Sequence, residues 1–240
     1  MLINTVLVYI RELLPVLLLL ATLLRLEQQR RWLLYSILCT ALLLIFLPPW
    51  LNDLTQLVDG TGLELLFVVA HIITLLAISS LSVKRTLQPA AVLAVCAQSL
   101  LCGINLLLFS LTNTGSDVAA ESFLLGAVLG CGIGLSIAVL WYQLLSELQR
   151  LSRIILGIML ALIAARQSIE TVTLLGQIDW LPSGGMLWDS SSVIAEQTEA
   201  GVFFPAWFGY EATPDVIQLG AWLVTVVLIL MLWQWRRGMQ

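Results

Sequence analysis

The stretch Met1–Leu24, MLINTVLVYIRELLPVLLLLATLL, decides how the chain is read. Ten mostly apolar residues lead into Arg11 and Glu12, and twelve more follow with Pro15 among them. A helix rises about 1.5 Å per residue, so those first ten residues climb about 15 Å, half of a ~30 Å hydrocarbon core. If the segment spans a bilayer, Arg11 and Glu12 sit near its midplane. A charge there costs about 2.5–3.5 kcal/mol on insertion scales, so such residues face a bundle interior and mark a pathway. Pro15 lacks the amide that would bond the carbonyl of Arg11, which frees that oxygen beside the carboxylate. A free carbonyl and a carboxylate at mid-depth are oxygen ligands for a cation. The alternative is that Arg11 and Glu12 neutralise each other, or a neighbour, and only fix packing.

Composition sets the class. Hydrophobic residues make up 60% of the chain and charged ones 11%, and the mean hydropathy is +0.98. Such a chain is an all-α, polytopic membrane protein, with residues 1–240 forming a single integral membrane domain and no separate soluble one. No cleavable signal peptide is expected, because Met1–Ile10 lacks a basic start and charges interrupt the apolar run. The apolar runs predict seven transmembrane helices near 2–24, 32–51, 62–83, 89–111, 122–145, 153–175 and 216–235. The short alternating segments of an outer-membrane barrel are absent from the sequence.

The basic residues orient these spans. Arg25, Arg30, Arg31, Lys84, Arg85, Arg150, Arg153, Arg236 and Arg237 all fall on one side when seven spans are counted. The remaining two, Arg11 and Arg166, lie inside spans. Segments 52–61, 112–121 and 176–215 hold no Lys or Arg, yet carry acids including Asp53, Asp117, Asp179, Asp189, Glu196 and Glu199. The positive-inside rule then places the N-terminus outside and the C-terminus in the cytoplasm of a cell inner-membrane protein. Tryptophans fit the same map, with Trp50, Trp180, Trp188, Trp207 and Trp222 toward outer ends and Trp32, Trp141, Trp233 and Trp235 toward inner ends.

Within the spans, further polar residues stand out. Glu64 and His71 are seven apart, so they share a helix face about 10 Å apart along its axis. They are either a route that hands a cation or proton inward, or an interfacial carboxylate and a packed donor. Arg166 and Glu170, at i and i+4 of the sixth span, can pair on one face, with Arg166 deep and Glu170 at or near the outer mouth, and are able to face Arg11 and Glu12 across the bundle. The fourth span carries Gln98, Ser99, Cys102 and Asn105 but no charge. Gly126, Gly130 and Gly134 form a stripe that admits a close helix neighbour. Cys39, Cys96, Cys102 and Cys131 lie in apolar spans with no CxxC pair and read as small buried hydrophobes. The aromatic segment 176–215 is expected to fold back onto the bundle, partly re-entrant, and Thr213 with Pro214 to restart a helix.

The stretch IRELLPVLLLLATLLRLEQQRRW resembles the first span of the oxidase-dependent iron permeases, which carries Arg-Glu-Gly-Leu-Glu before a basic cytoplasmic loop. WDSSSVI and FGYEATPDVIQLGAWL are similar to that family's last outer loop and seventh span, and ELLFVVAHII fits the start of its third. The resemblance implies uptake of iron across the cytoplasmic membrane, with iron as cargo, no resident cofactor and no enzymatic activity. An extracytoplasmic iron-oxidising or iron-binding protein is the implied partner beside the lipid bilayer, and nucleic acid is not one. Arg11 and Glu12 match the family motif, while Leu13 stands for its Gly and Pro15 for its second Glu. In the fourth span Gln98, Ser99 and Cys102 occupy the places of Arg, Glu and Glu.

Iron is bound by carboxylates and imidazoles, several at once. The candidate ligands are therefore Glu12, Glu64, His71 and Glu170, with Arg11, Pro15, Arg166 and Asp189 in support. Three functions follow: an iron-permease-like transporter, a non-transporting relative acting as an assembly or regulatory subunit, or a membrane redox subunit. The single His argues against the last, since a b-type haem in a bundle needs two axial histidines.

Overall fold

The computed structural model describes residues 2–26, 31–83, 88–113, 117–152, 154–182, 184–193 and 198–238. Arg30, Lys84, Arg85, Arg153 and Glu196 lie outside the described residues. In chain order the α-helices are α1 (Leu2–Leu26), α2 (Arg31–Phe46), α3 (Leu51–Gln56), α4 (Gly62–Val83), α5 (Gln88–Asn113), α6 (Asp117–Leu151), α7 (Ile154–Gln177), α8 (Glu199–Phe208) and α9 (Val216–Gly238). Six described helices, α1, α4, α5, α6, α7 and α9, are long and apolar enough to cross a membrane. The chain is thus an all-α protein of the multi-pass membrane kind.

A seventh span exists if α2 and the helix after it are taken together, but that pair is bent by 41°. The single helix expected over 32–51 is broken. Pro48 and Pro49 remove two successive N–H donors, so α2 closes at Phe46 and a 3-10 turn at Pro48–Trp50 leads into α3. By contrast α1 runs unbroken through Pro15.

Successive long helices of the chain alternate in direction, so α1 and α6 run the same way. The N face is the end of the bundle where α1 begins, and the C face is the end where it finishes. The glycine stripe of α6 receives α1 in parallel fashion, Gly126, Gly130 and Gly134 meeting Thr5, Tyr9 and Leu17 in turn. A Cβ on Gly126 would fall 2.7 Å from Thr5 Cβ, and one on Gly130 would fall 2.6 Å from Tyr9 Cβ. Both distances are shorter than carbon atoms tolerate, so only glycine lets the two backbones come this close. At the C face, Arg25 of α1 donates from Nε to the Tyr142 carbonyl of α6 at 3.2 Å.

The half of the bundle nearer the C face is a close-packed apolar plug. Leu19 and Leu23 of α1, Trp32 of α2, Ile78 and Leu81 of α4 and Leu160 of α7 are all fully buried there. Ala91 and Ala94 of α5 and Ile229 of α9 complete it. In hydrocarbon this cluster is held by van der Waals packing rather than by water exclusion, because the lipid is as apolar as leucine. Trp32, Trp141 and Trp233 are packed inside the protein, which takes them out of the interfacial belt. Trp50, Trp180, Trp188 and Trp235 remain exposed, as a belt requires. The four cysteines are free thiols, buried or half-buried in helices.

The connection after α7 returns into the bundle. Leu187 and Ser190 donate backbone N–H groups to Pro214 and Ala212, pinning the loop to the start of α9. Between these points α8 packs into the bundle, capped by Thr198 Oγ1, which accepts from the Gly201 N–H at 3.1 Å. Ala206 of α8 packs with Leu14, Leu18 and Ala21 of α1 and Trp141 and Leu145 of α6. Counting from Leu2, those α1 residues lie about 18–29 Å below the N face, so α8 is re-entrant to mid-depth or beyond. It ends at Gly209 in the left-handed region (φ 67°), where a Cβ would stand 2.9 Å from Arg166 Cα.

The start of α9 corrects one expectation: Asp215, not Thr213, caps it. Asp215 Oδ1 accepts from the Ile217 N–H at 3.3 Å, and Gln218 Oε1 accepts in return from the Asp215 N–H at 2.8 Å. This reciprocal capping box needs an acceptor and a Gln three residues apart, a spacing Thr213 does not have.

The α1–α6 pairing gives a direct test. Gly130→Leu should destabilise the detergent-solubilised protein by about 1–3 kcal/mol in thermal unfolding, as overpacking does. Gly132→Leu, where nothing lies within 4 Å of the added Cβ, should leave stability unchanged. Equal effects at the two positions would contradict the pairing.

Candidate functional site: a polar layer at mid-depth

Four helices carry a polar side chain at nearly one height. Glu12, His71, Asn105 and Gln167 lie eight to ten residues from the N-face ends of α1, α4, α5 and α7. At 1.5 Å per residue that is about 12–15 Å below the N face. Each side chain there has a partner on a neighbouring helix, since an unsatisfied polar group in this setting is costly.

Glu12 Oε2 accepts from Asn105 Nδ2 at 2.8 Å, joining α1 to α5. Its other oxygen is 3.6 Å from Arg11 Nε. Side-chain exposure separates the two residues: 16% for Glu12 and 73% for Arg11. The carboxylate thus faces inward while the guanidinium emerges from the bundle. Leu14, Pro15 and Leu18 of the same helix are buried, so Arg11 stands just above the level that α8 covers.

His71 and Gln167 join α4 to α7. His71 Nδ1 lies 2.6 Å from Gln167 Oε1, and both side chains are buried. An amide oxygen only accepts, so Nδ1 carries the proton and Nε2 is the acceptor of the neutral ring. One residue before Gln167, Arg166 pairs through Nη2 with Glu170 Oε1 at 3.2 Å. The Nε and Nη1 of Arg166 are buried and have no hydrogen-bond partner among the described residues. Glu64 Oε2 and Gln98 Oε1 are in the same condition.

Of the expected site residues, the structure brings Glu12 to Arg11, and Arg166 to Glu170. No ion pair joins these two elements among the described residues, although α1 and α7 touch. Glu64 lies on the same face as His71, nearer the N face, as the spacing predicts. Among the described residues, no three His, Cys, Asp or Glu side chains gather where they could hold a metal ion. Asp189 is remote from the layer, in the N-face loop. Its Oδ1 accepts from the Ser191 N–H and hydroxyl, which hold its carboxyl below the usual carboxylate value.

Sequence reasoning missed Gln167. Its signal was available: α7 buries Leu156, Leu160, Ile163 and Ala164 at helical spacing, and Gln167 continues that stripe. An amide on a buried stripe needs a partner, and the single His is the one provided.

The His71–Gln167 bond can be measured by a double-mutant cycle on thermal stability. His71→Leu alone strands the Gln167 amide and should cost about 1–3 kcal/mol, whereas His71→Leu with Gln167→Leu should cost less than the two single changes added. Additive losses would mean the two side chains do not interact.

Compared with family models, curated proteins and solved structures, the chain matches none, so the site stands on its own geometry.

Proposed function

We propose that the chain is a cation transporter of the cytoplasmic membrane, similar in plan to the iron permeases, that takes iron from the N face toward the C face. The supporting observation is the polar layer, four helices bearing polar groups at one depth beside a re-entrant helix. Secondary transporters place their sites near the bilayer midplane beside interrupted helices in this way. In this reading the exposed Arg11 and Glu170 side chains, 73% and 38%, mark the approach from the N face, and the apolar plug backs the layer toward the C face. Such an asymmetry suits an outward-facing state awaiting a cation. Clustered Arg25, Arg31 and Arg150 at the C face support a cytoplasmic C face, with the base-free acidic loops outside.

The cargo would be met in steps rather than by a preformed cage. Glu64 stands nearest the mouth, His71 and Glu170 lie deeper, and Glu12 sits at mid-depth. To bind, Glu12 must exchange Asn105 or Arg11 for the cation. Removing one hydrogen bond of this kind within a membrane costs about 0.6 kcal/mol on average, so the exchange is affordable.

One observation favours a second reading, a non-transporting assembly or regulatory subunit. Glu12, His71 and Glu170 each have an internal partner in Asn105, Gln167 and Arg166. Three satisfied pairs are also what a purely structural bundle would contain.

Iron accumulation in vesicles reconstituted with the full chain separates the readings. The transporter reading expects wild-type uptake above empty vesicles and at least a tenfold loss in Glu12→Gln at normal protein level. The subunit reading expects no uptake, with Glu12→Gln lowering protein level and Arg11→Gln plus Glu12→Gln restoring it. Orientation has its own check: a reporter fused after Gln240 should read cytoplasmic, and one inserted in 176–193 external.

A further inference from the structure

A groove of about 800 Å³ lies between α1, α6 and α8, outside the polar layer. Its deep end is apolar and aromatic, built from Leu18, Ile137, Leu140, Phe203 and Trp207. Its other end, toward the C face, is polar, with Gln143, Ser146, Glu147 and Arg25. On α6 the lining runs from Ile137 to Glu147, ten residues or about 15 Å, the thickness of one leaflet's hydrocarbon. Depth and polarity therefore change together as they do along a phospholipid.

The charge at the rim selects among lipids. Of the two charged residues lining the groove, Glu147 is neutralised by Arg150 at 3.0 Å. Arg25 is held in place from one side, its Cζ 3.8 Å from the Tyr142 ring centroid and its Nε on the Tyr142 carbonyl. That anchoring uses the ring face and one N–H, and a guanidinium has five N–H donors in all. The rim thus offers an oriented cation with no ion-pair partner among the described residues, at headgroup height, where basic pockets between spans bind anionic headgroups.

We propose that this groove is a binding site for one anionic phospholipid, its acyl chains along Leu18, Leu140 and Trp207 and its phosphate on Arg25. The lipid covers the aromatic face of α8 that the bundle leaves open, and ties the re-entrant helix to α1 and α6. The site is independent of whether the polar layer carries a cation.

Native mass spectrometry of the full chain in detergent, with phosphatidylglycerol or phosphatidylcholine added at equal concentration, tests this. Retention of phosphatidylglycerol should exceed that of phosphatidylcholine by about fivefold, the preference one basic residue gives near an anionic headgroup. Arg25→Gln should bring the two lipids to parity. Leu140→Trp, which fills the groove from an exposed position and leaves Arg25 in place, should abolish retention of both. Should Arg25→Gln lose its helical circular dichroism, the Leu140→Trp result decides alone. Equal retention of the two lipids by the wild type, phosphatidylglycerol retained undiminished by Leu140→Trp, or a lipid-free dimer would each overturn the proposal.

Discussion

A carboxylate in the middle of an apolar bundle has to be held by a donor, because hydrocarbon cannot solvate it. Glu12 meets this demand with the Asn105 amide at 2.8 Å, and that bond registers α1 against α5 at mid-depth. The same demand is met one helix pair further on by His71 and Gln167, which register α4 against α7. Once α7 is placed, Gly209 seats the end of α8 on the backbone of Arg166, and Thr173 accepts a hydrogen bond from Gln218 of α9. The inner architecture follows from where its polar groups find partners.

The two halves of the bundle are held differently, and the difference bears on function. Toward the C face, leucines, isoleucines and tryptophans from several helices interlock, and the close packing of such a cluster resists deformation. Toward the N face, single hydrogen bonds take over, worth about 0.6 kcal/mol each on average within membranes. Contacts that weak can change partners without unfolding the bundle. In the transport cycle proposed above, a movement of helices would start at the polar layer, with the plug as the part that must later part.

The class, the long apolar helices and the mid-depth position of Glu12 were legible because they depend on length and hydropathy along one strand of sequence. The glycine stripe was legible for a similar reason: four-residue spacing on one helix announces a close neighbour, which is α1. The break at Pro48 was misread because the apolar run continues across it, and hydropathy does not register missing N–H donors. Arg11 and Glu12 could be placed in depth but not in direction. Adjacent residues on a helix point about 100° apart, and only the packed bundle shows that one faces in and the other out. Gln167 stayed hidden because its meaning lies in His71, 96 residues away.

The central claim is that the polar layer is reached from the N face while the plug seals it from the C face. Cysteine accessibility to a small, membrane-impermeant thiol reagent tests this most directly, in a background with Cys39, Cys96, Cys102 and Cys131 replaced. Cysteines at positions 12, 105 and 170 should be labelled from the N-face side, and one at 160 in the plug from neither side. Failure of positions 12, 105 and 170 to react from the N face, or labelling at 160 as fast as at 170, would contradict the account.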